Sequence, residues 1–128
     1  MCAGRRLIAV VDDEESVRRA LARMLNASQF DVAVFASGRE FLDALQDRRP
    51  DCVVLDYQMP GLNGRDVQRQ LTHAQIRLPV IVVTAHEQPA LREQCLAEGA
   101  SAYLAKPLHR ERLVSAIDDA MKQGKPET

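Results

Sequence analysis

Five short runs of apolar, largely β-branched residues divide this chain: LIAVV (Leu7 to Val11), VAVF (Val32 to Phe35), CVVL (Cys52 to Leu55), VIVVT (Val80 to Thr84) and AYLA (Ala102 to Ala105). A strand that shows one face to water alternates apolar and polar residues. Three of these runs do not alternate, which predicts strands buried on both faces. Such strands need a layer of helices on each side.

The stretches between the runs supply those helices. Val17, Leu21, Met24 and Leu25 form one apolar stripe. Phe41, Leu42 and Leu45 form a second, opened by Ser37 and Glu40 in capping-box spacing. Val67 and Leu71 mark a third after Gly64. Leu91, Cys95 and Leu96 mark a fourth, with Pro89 suited to its first turn and Gly99 to its end. Leu113, Val114, Ile117 and Met121 make the fifth. Strand and helix alternating in this way predict an α/β fold, a doubly wound parallel sheet with right-handed crossovers. Five strands and five helices in 128 residues fit one domain of the flavodoxin-like strand order 2-1-3-4-5.

That order locates the chemistry. Ligands of open α/β sheets bind beyond the carboxyl ends of the strands, where the order changes direction. Here the change falls between the first and third strands, which end in Asp12, Asp13 and Asp56. The fourth strand ends in Thr84, and Lys106 follows the fifth.

Composition removes several other classes. Seventeen basic and 18 acidic residues leave a net charge of −1, which gives no electrostatic case for nucleic acid or an anionic membrane as a direct partner. The apolar runs are far shorter than the ~20 residues of a membrane helix. The first residues, MCAGRRLIAVVDD, lack a signal-peptide core. Cys2, Cys52 and Cys95 have no metal-ligand spacing, and reduced thiols in a cytoplasmic protein are expected. Cys52 reads as a small core residue. His73 and His109 read as surface residues.

Three carboxylates at one edge raise one another's pKa unless a cation joins them. Oxygen ligands with open positions suit Mg²⁺, with Mn²⁺ as a second candidate. Mg²⁺ typically takes one or two carboxylates together with a phosphate oxygen, so the edge is read as a place that meets a phosphoryl group. Lys106 supplies a mobile positive charge, and Thr84 a hydroxyl. A carboxylate can itself be the nucleophile, and Asp56 is the best placed because it alone opens a Pro/Gly loop, YQMPGLNG. Taken singly, each residue has a plainer role. Asp12 could cap the first helix, Lys106 could be a solvated lysine, and Thr84 a strand-end β-former. Four strands placing matched groups at one edge is what the plainer roles leave unexplained.

The motifs VVDDEESVR, VVLDYQMPGLNG, VIVVTAHE and YLAKPL, in this order and at this spacing, closely resemble the receiver domain of bacterial two-component response regulators. The likeness runs from about Leu7 to about Met121, so residues 1–128 are expected to be a single receiver domain with a polar tail over 122–128. The resemblance implies that Asp56 accepts a phosphoryl group. It implies that Asp13 binds Mg²⁺ directly, with Asp12 acting largely through water and the backbone carbonyl of Gln58 as a further ligand. Thr84 and Lys106 would contact the phosphoryl group. Lys106–Pro107 would be a cis peptide. Thr84 and Tyr103 would form the switch, Tyr103 turning inward as Thr84 moves. The donor would be a sensor histidine kinase or phosphotransfer protein. The output would be a domain or target protein met by the face of the fourth helix, fifth strand and fifth helix, with a phosphorylation-dependent homodimer as one form of it. No organic cofactor is implied. The domain would catalyse its own phosphorylation and slow dephosphorylation without being an enzyme on other substrates. Gln58 and His86 would tune the phosphoryl lifetime or be plain solvated loop residues. VFASGREFL and IRLPVIVVTAH lean toward the subgroup with LuxR-type helix-turn-helix outputs.

Three rivals remain at this level. A haloacid-dehalogenase phosphatase also uses an aspartyl phosphate, but wants its nucleophile in a DxDx(T/V) loop after the first strand, where this chain has DDEES. A flavodoxin-like FMN carrier needs a phosphate loop at that place, and the loop here is acidic. A degenerate receiver that only binds partners would not need the acid, hydroxyl and lysine set.

Overall fold

A computed structural model describes residues 5–124; Cys2 and residues 125–128 lie outside them. The order is β1 (Leu7–Val11), α1 (Glu15–Ala27), β2 (Asp31–Phe35), α2 (Gly38–Ala44), β3 (Cys52–Asp56), α3 (Gly64–His73), β4 (Val80–Thr84), α4 (Pro89–Ala97), β5 (Ala102–Ala105) and α5 (Arg110–Gly124). All strand pairs are parallel, and the sheet order is β2-β1-β3-β4-β5. The five strands lie where the apolar runs placed them. Asp31 joins β2, and Asp56 is the last residue of β3 itself rather than the first of its loop. At the other end of the chain α5 continues past Met121 to Gly124.

The side-chain period of a strand explains the two helix layers. In β1, Ile8 and Val10 point to one face and meet Leu21 and Leu25 of α1 and Leu113 and Ile117 of α5. Ala9 and Val11 point to the other and meet Phe41 of α2, Val67 and Leu71 of α3 and Cys95 of α4. Every residue of β1, β3 and β4 is buried. Each large apolar side chain so buried contributes roughly 1.5–3 kcal/mol. This burial fixes the strands in register, and with them the residues at their ends.

Local signals set the helix starts. The Ser37 hydroxyl accepts from the Glu40 amide at 3.1 Å, while the Glu40 carboxylate reaches the amide of Ala36 rather than that of Ser37. α3 opens on a full capping box, Asn63 with Asp66, that the sequence reading did not identify. Pro89 is at the first turn of α4, and Gly99 beyond its end takes a φ of +109°. Cys52 and Cys95 are buried free thiols. Burial pushes the Cys52 thiol up to about 12, so it stays protonated and inert. Among the described residues, no helix is long and apolar enough to cross a membrane.

Candidate functional site

The carboxyl ends of β1 and β3 are neighbours, because Val11 pairs with Leu55. Asp12 and Asp13 leave β1 just where Asp56 ends β3. One carboxylate oxygen from each of Asp12, Asp13 and Asp56 can be chosen so that all lie within 4.8 Å of one another. Asp12 and Asp56 are buried and Asp13 is exposed, so the pocket opens to water on the Asp13 side.

Lys106 enters from the end of β5 and is the pocket's counter-charge. Its Nζ donates to Asp12 Oδ2 at 3.1 Å and lies 3.4 Å from Asp56 Oδ1. The Lys106–Pro107 peptide is cis. Asp12 is held at three further atoms: its Oδ1 accepts from the Glu14 amide at 2.9 Å, and its carbonyl accepts from Arg18 Nη1 at 2.8 Å. Its amide donates to the Phe35 carbonyl at 3.1 Å. Arg18 closes the motif VVDDEESVR, but the sequence assigns it no role of its own. It stands six residues after Asp12, near the start of α1.

The electrostatics follow from burial first. Desolvation, then the Asp12 charge, push Asp56 up to about 6, and Lys106 only partly offsets them. Burial works against the Lys106 ammonium, but Asp56 and Asp12 together outweigh it and hold its pKa above the usual lysine value. Asp56 is therefore an acid in an unfavourable place, 5 % exposed and next to a second buried carboxylate. A divalent cation would relieve both causes, and the three acids could hold one.

Thr84 is at the same edge but faces elsewhere. Its Oγ1 accepts from the His86 amide at 3.1 Å and donates to the His86 carbonyl at 3.2 Å, closing a small turn. Tyr103 is already inside, 4 % exposed, and its Oη has no hydrogen-bond partner. The inward position expected to follow a switch is thus the position in this structure. Gln58, His86, His73 and His109 are exposed.

The loop after β3 is fastened by its backbone. The Tyr57 amide donates to the Val83 carbonyl, and the Gly64 amide to the Tyr57 carbonyl, both at 2.8 Å. Gly64 packs on the strand end so closely that a Cβ there would lie 2.9 Å from Tyr57 Cα and 3.3 Å from the Asp56 carbonyl. The next residue, Arg65, pairs with Glu98 through Nε and Nη2 at 3.0 to 3.1 Å, tying α3 to the end of α4. No sequence signal joins those two residues across 33 positions.

An open parallel sheet with three acids and a lysine at its switch point defines a receiver-type α/β domain. The family model of the response regulator receiver domain matches residues 8–118, and this chain belongs to that family. It is 39% identical over 120 residues to the response regulator MprA of Mycolicibacterium vanbaalenii, covering 94% of this chain and 52% of that protein. The chain thus spans about half the length of the curated relatives it matches. Among solved structures, a response regulator receiver protein from Burkholderia phymatum is 43% identical, with a TM-score of 0.81 over 92% of this chain and 96% of that one. Full-length FixJ from B. japonicum is 32% identical, with a TM-score of 0.89 over 97% of this chain and 61% of that one.

Proposed function

We propose that the chain, as a single receiver domain with its core over about 7–121, accepts a phosphoryl group on Asp56. The observation that carries this reading is the Asp12–Asp13–Asp56 cluster with Lys106 bridging Asp12 and Asp56. The donor is a histidine kinase or phosphotransfer protein carrying phosphohistidine. Its P–N bond breaks as a P–O bond forms to a carboxylate oxygen of Asp56, and the imidazole leaves. Asp56 must be ionised to attack, and burial beside Asp12 opposes that. Asp13 and Asp56, with Asp12 through water and the Gln58 carbonyl, would hold Mg²⁺, or Mn²⁺ in its place. The metal supplies positive charge to the acids and to the phosphoryl oxygens. Lys106 places its ammonium where a phosphoryl oxygen on Asp56 would be met. Thr84 must release His86 before its hydroxyl can join the phosphoryl group.

That release is the event by which the domain reports its state, in this reading. Thr84 and Tyr103 are the switch, and the face of α4, β5 and α5 meets the output domain, target protein or a second copy. The likeness to response regulators supports this assignment, together with a cytoplasmic setting and a signalling rather than enzymatic role. An apolar groove of about 470 Å³ between α1 and the segment after β5, with Val17, Met24 and Leu108 in its lining, borders Lys106. It supports docking of the donor beside the pocket.

Acetyl phosphate with Mg²⁺ should add one phosphoryl group, read by intact mass. Chelation of the metal or Asp56→Asn should prevent it. No adduct with Mg²⁺ present would overturn the reading, and sustained hydrolysis of phosphate esters would favour a phosphatase. Gln58 and His86 stand two residues beyond Asp56 and Thr84, where their side chains can reach attacking water. Gln58→Ala and His86→Ala should each change the half-life of the phosphorylated protein by a few-fold. Unchanged decay in both would return them to the role of solvated loop residues.

A further inference from the structure

The face of the sheet beneath α2 carries an apolar hollow that the phosphoacceptor reading does not use. Ala9 of β1 and Ala33 of β2 are register partners, so their side chains lie side by side on one face. Ala44, at the end of the short helix α2, faces the same space. Three methyl groups meet where a packed core would place branched chains, and a volume of about 160 Å³ is left. Phe35 and Phe41 form an aromatic wall, edge to face with ring centroids 5.7 Å apart. The charged residues of the lining, Asp47 and Arg48, are in the exposed turn after α2.

We infer that this hollow is a binding site for a small, uncharged aromatic molecule of benzene to toluene size. A closed apolar cavity of about 150 Å³ takes up benzene, because water inside needs two to four polar partners. This hollow is partly open to solvent, but it offers water few such partners: β1 is paired on both sides, by β2 and β3, and the side chains around the hollow are chiefly methyl, aliphatic and aromatic. The Phe35–Phe41 pair offers a ring edge and a ring face to an aromatic guest. A charged guest would lose its hydration without gaining a buried partner. The site is separate from the acidic pocket, although the two share Phe35, whose carbonyl accepts from the Asp12 amide.

The test is a titration of the uniformly labelled protein with benzene, followed by amide NMR. Saturable shifts confined to β1, β2 and α2 are expected, with a rise in thermal midpoint that grows with benzene concentration. Ala33→Leu and Ala44→Leu each fill the hollow from a different element. Each folded variant should bind benzene at least about tenfold more weakly, or not measurably. Both should still accept a phosphoryl group from acetyl phosphate, since neither residue belongs to the acidic pocket. Shifts that do not saturate, that spread over other surfaces, or that persist in a folded filling variant would overturn the assignment. Should one variant fail to fold, the other decides, and the wild-type shift map stands on its own.

Discussion

Asp56→Asn should make the metal-free protein more stable above about pH 6, and the gain should vanish at acid pH. Folding moves Asp56 from 3.8 to about 6, through burial first and the Asp12 charge second. Below about pH 4 the group is protonated in both folded and unfolded chains, so it favours neither. As pH rises toward 6 the unfolded chain ionises and the folded one resists. Stability is therefore lost over that window, and the loss is complete above it. At 1.36 kcal/mol per pKa unit, the full loss is about 3 kcal/mol. Asparagine keeps the shape of the protonated acid and removes the titration. It gives up the 3.4 Å approach to Lys106, but that ammonium keeps Asp12 at 3.1 Å. A net gain of about 2 kcal/mol at pH 7.5 is expected. Urea unfolding of both proteins at matched pH measures it, with the other carboxylates cancelling in the difference. Millimolar Mg²⁺ should narrow the gap by stabilising the wild type alone. A difference that does not change between pH 4 and pH 7.5 would refute the account. The same substitution should abolish phosphorylation, so a residue that weakens the fold is the one the proposed function requires.

That trade shows what a sequence can and cannot disclose about such a site. The strands were readable because burial on both faces leaves no polar alternation, and Asp56 after CVVL was visible as an acid in a place that burial disfavours. The shared edge followed from strand order, since parallel strands bring their carboxyl ends together. Contacts decided by loop conformation were not readable. Thr84 closes a turn on His86, and nothing in VIVVTAHE distinguishes that from a hydroxyl aimed at the acids. Arg18 holds the Asp12 carbonyl only because α1 begins where it does. The Asn63–Asp66 capping box was hidden because its first residue lies inside PGLNG, where turn residues obscure a helix start. The alanine hollow depends on the register of Ala9 with Ala33, and register is not written in either strand alone.

Gly64→Ala should damage stability and phosphorylation together, which separates it from an ordinary helix substitution. Its backbone has no left-handed φ that would demand glycine, and alanine at an exposed helix position is normally favourable by roughly 0.5–1 kcal/mol. Here the new methyl meets Tyr57 Cα at 2.9 Å, and its other near neighbours are the Asp56 carbonyl and Tyr57 Cδ1, both at 3.3 Å. The two backbone atoms cannot rotate away, because the Tyr57 amide and carbonyl are both engaged at 2.8 Å. The end of β3 must move, or α3 must lift. Overpacking of this kind costs about 1–3 kcal/mol, which exceeds the helix gain, so a net loss of about 1–2 kcal/mol is expected. Phosphorylation by acetyl phosphate should slow by about tenfold or more, since a shift of an ångström at a reacting group is enough for a loss of that order. Gly38→Ala is the control. Its methyl would lie 2.6 Å from Val67 Cγ2, a side-chain atom on α3 away from the acids. It should lose stability and keep its phosphorylation rate once folded. Gly64→Ala phosphorylated at the wild-type rate would mean that the packing of α3 on the strand end does not position Asp56.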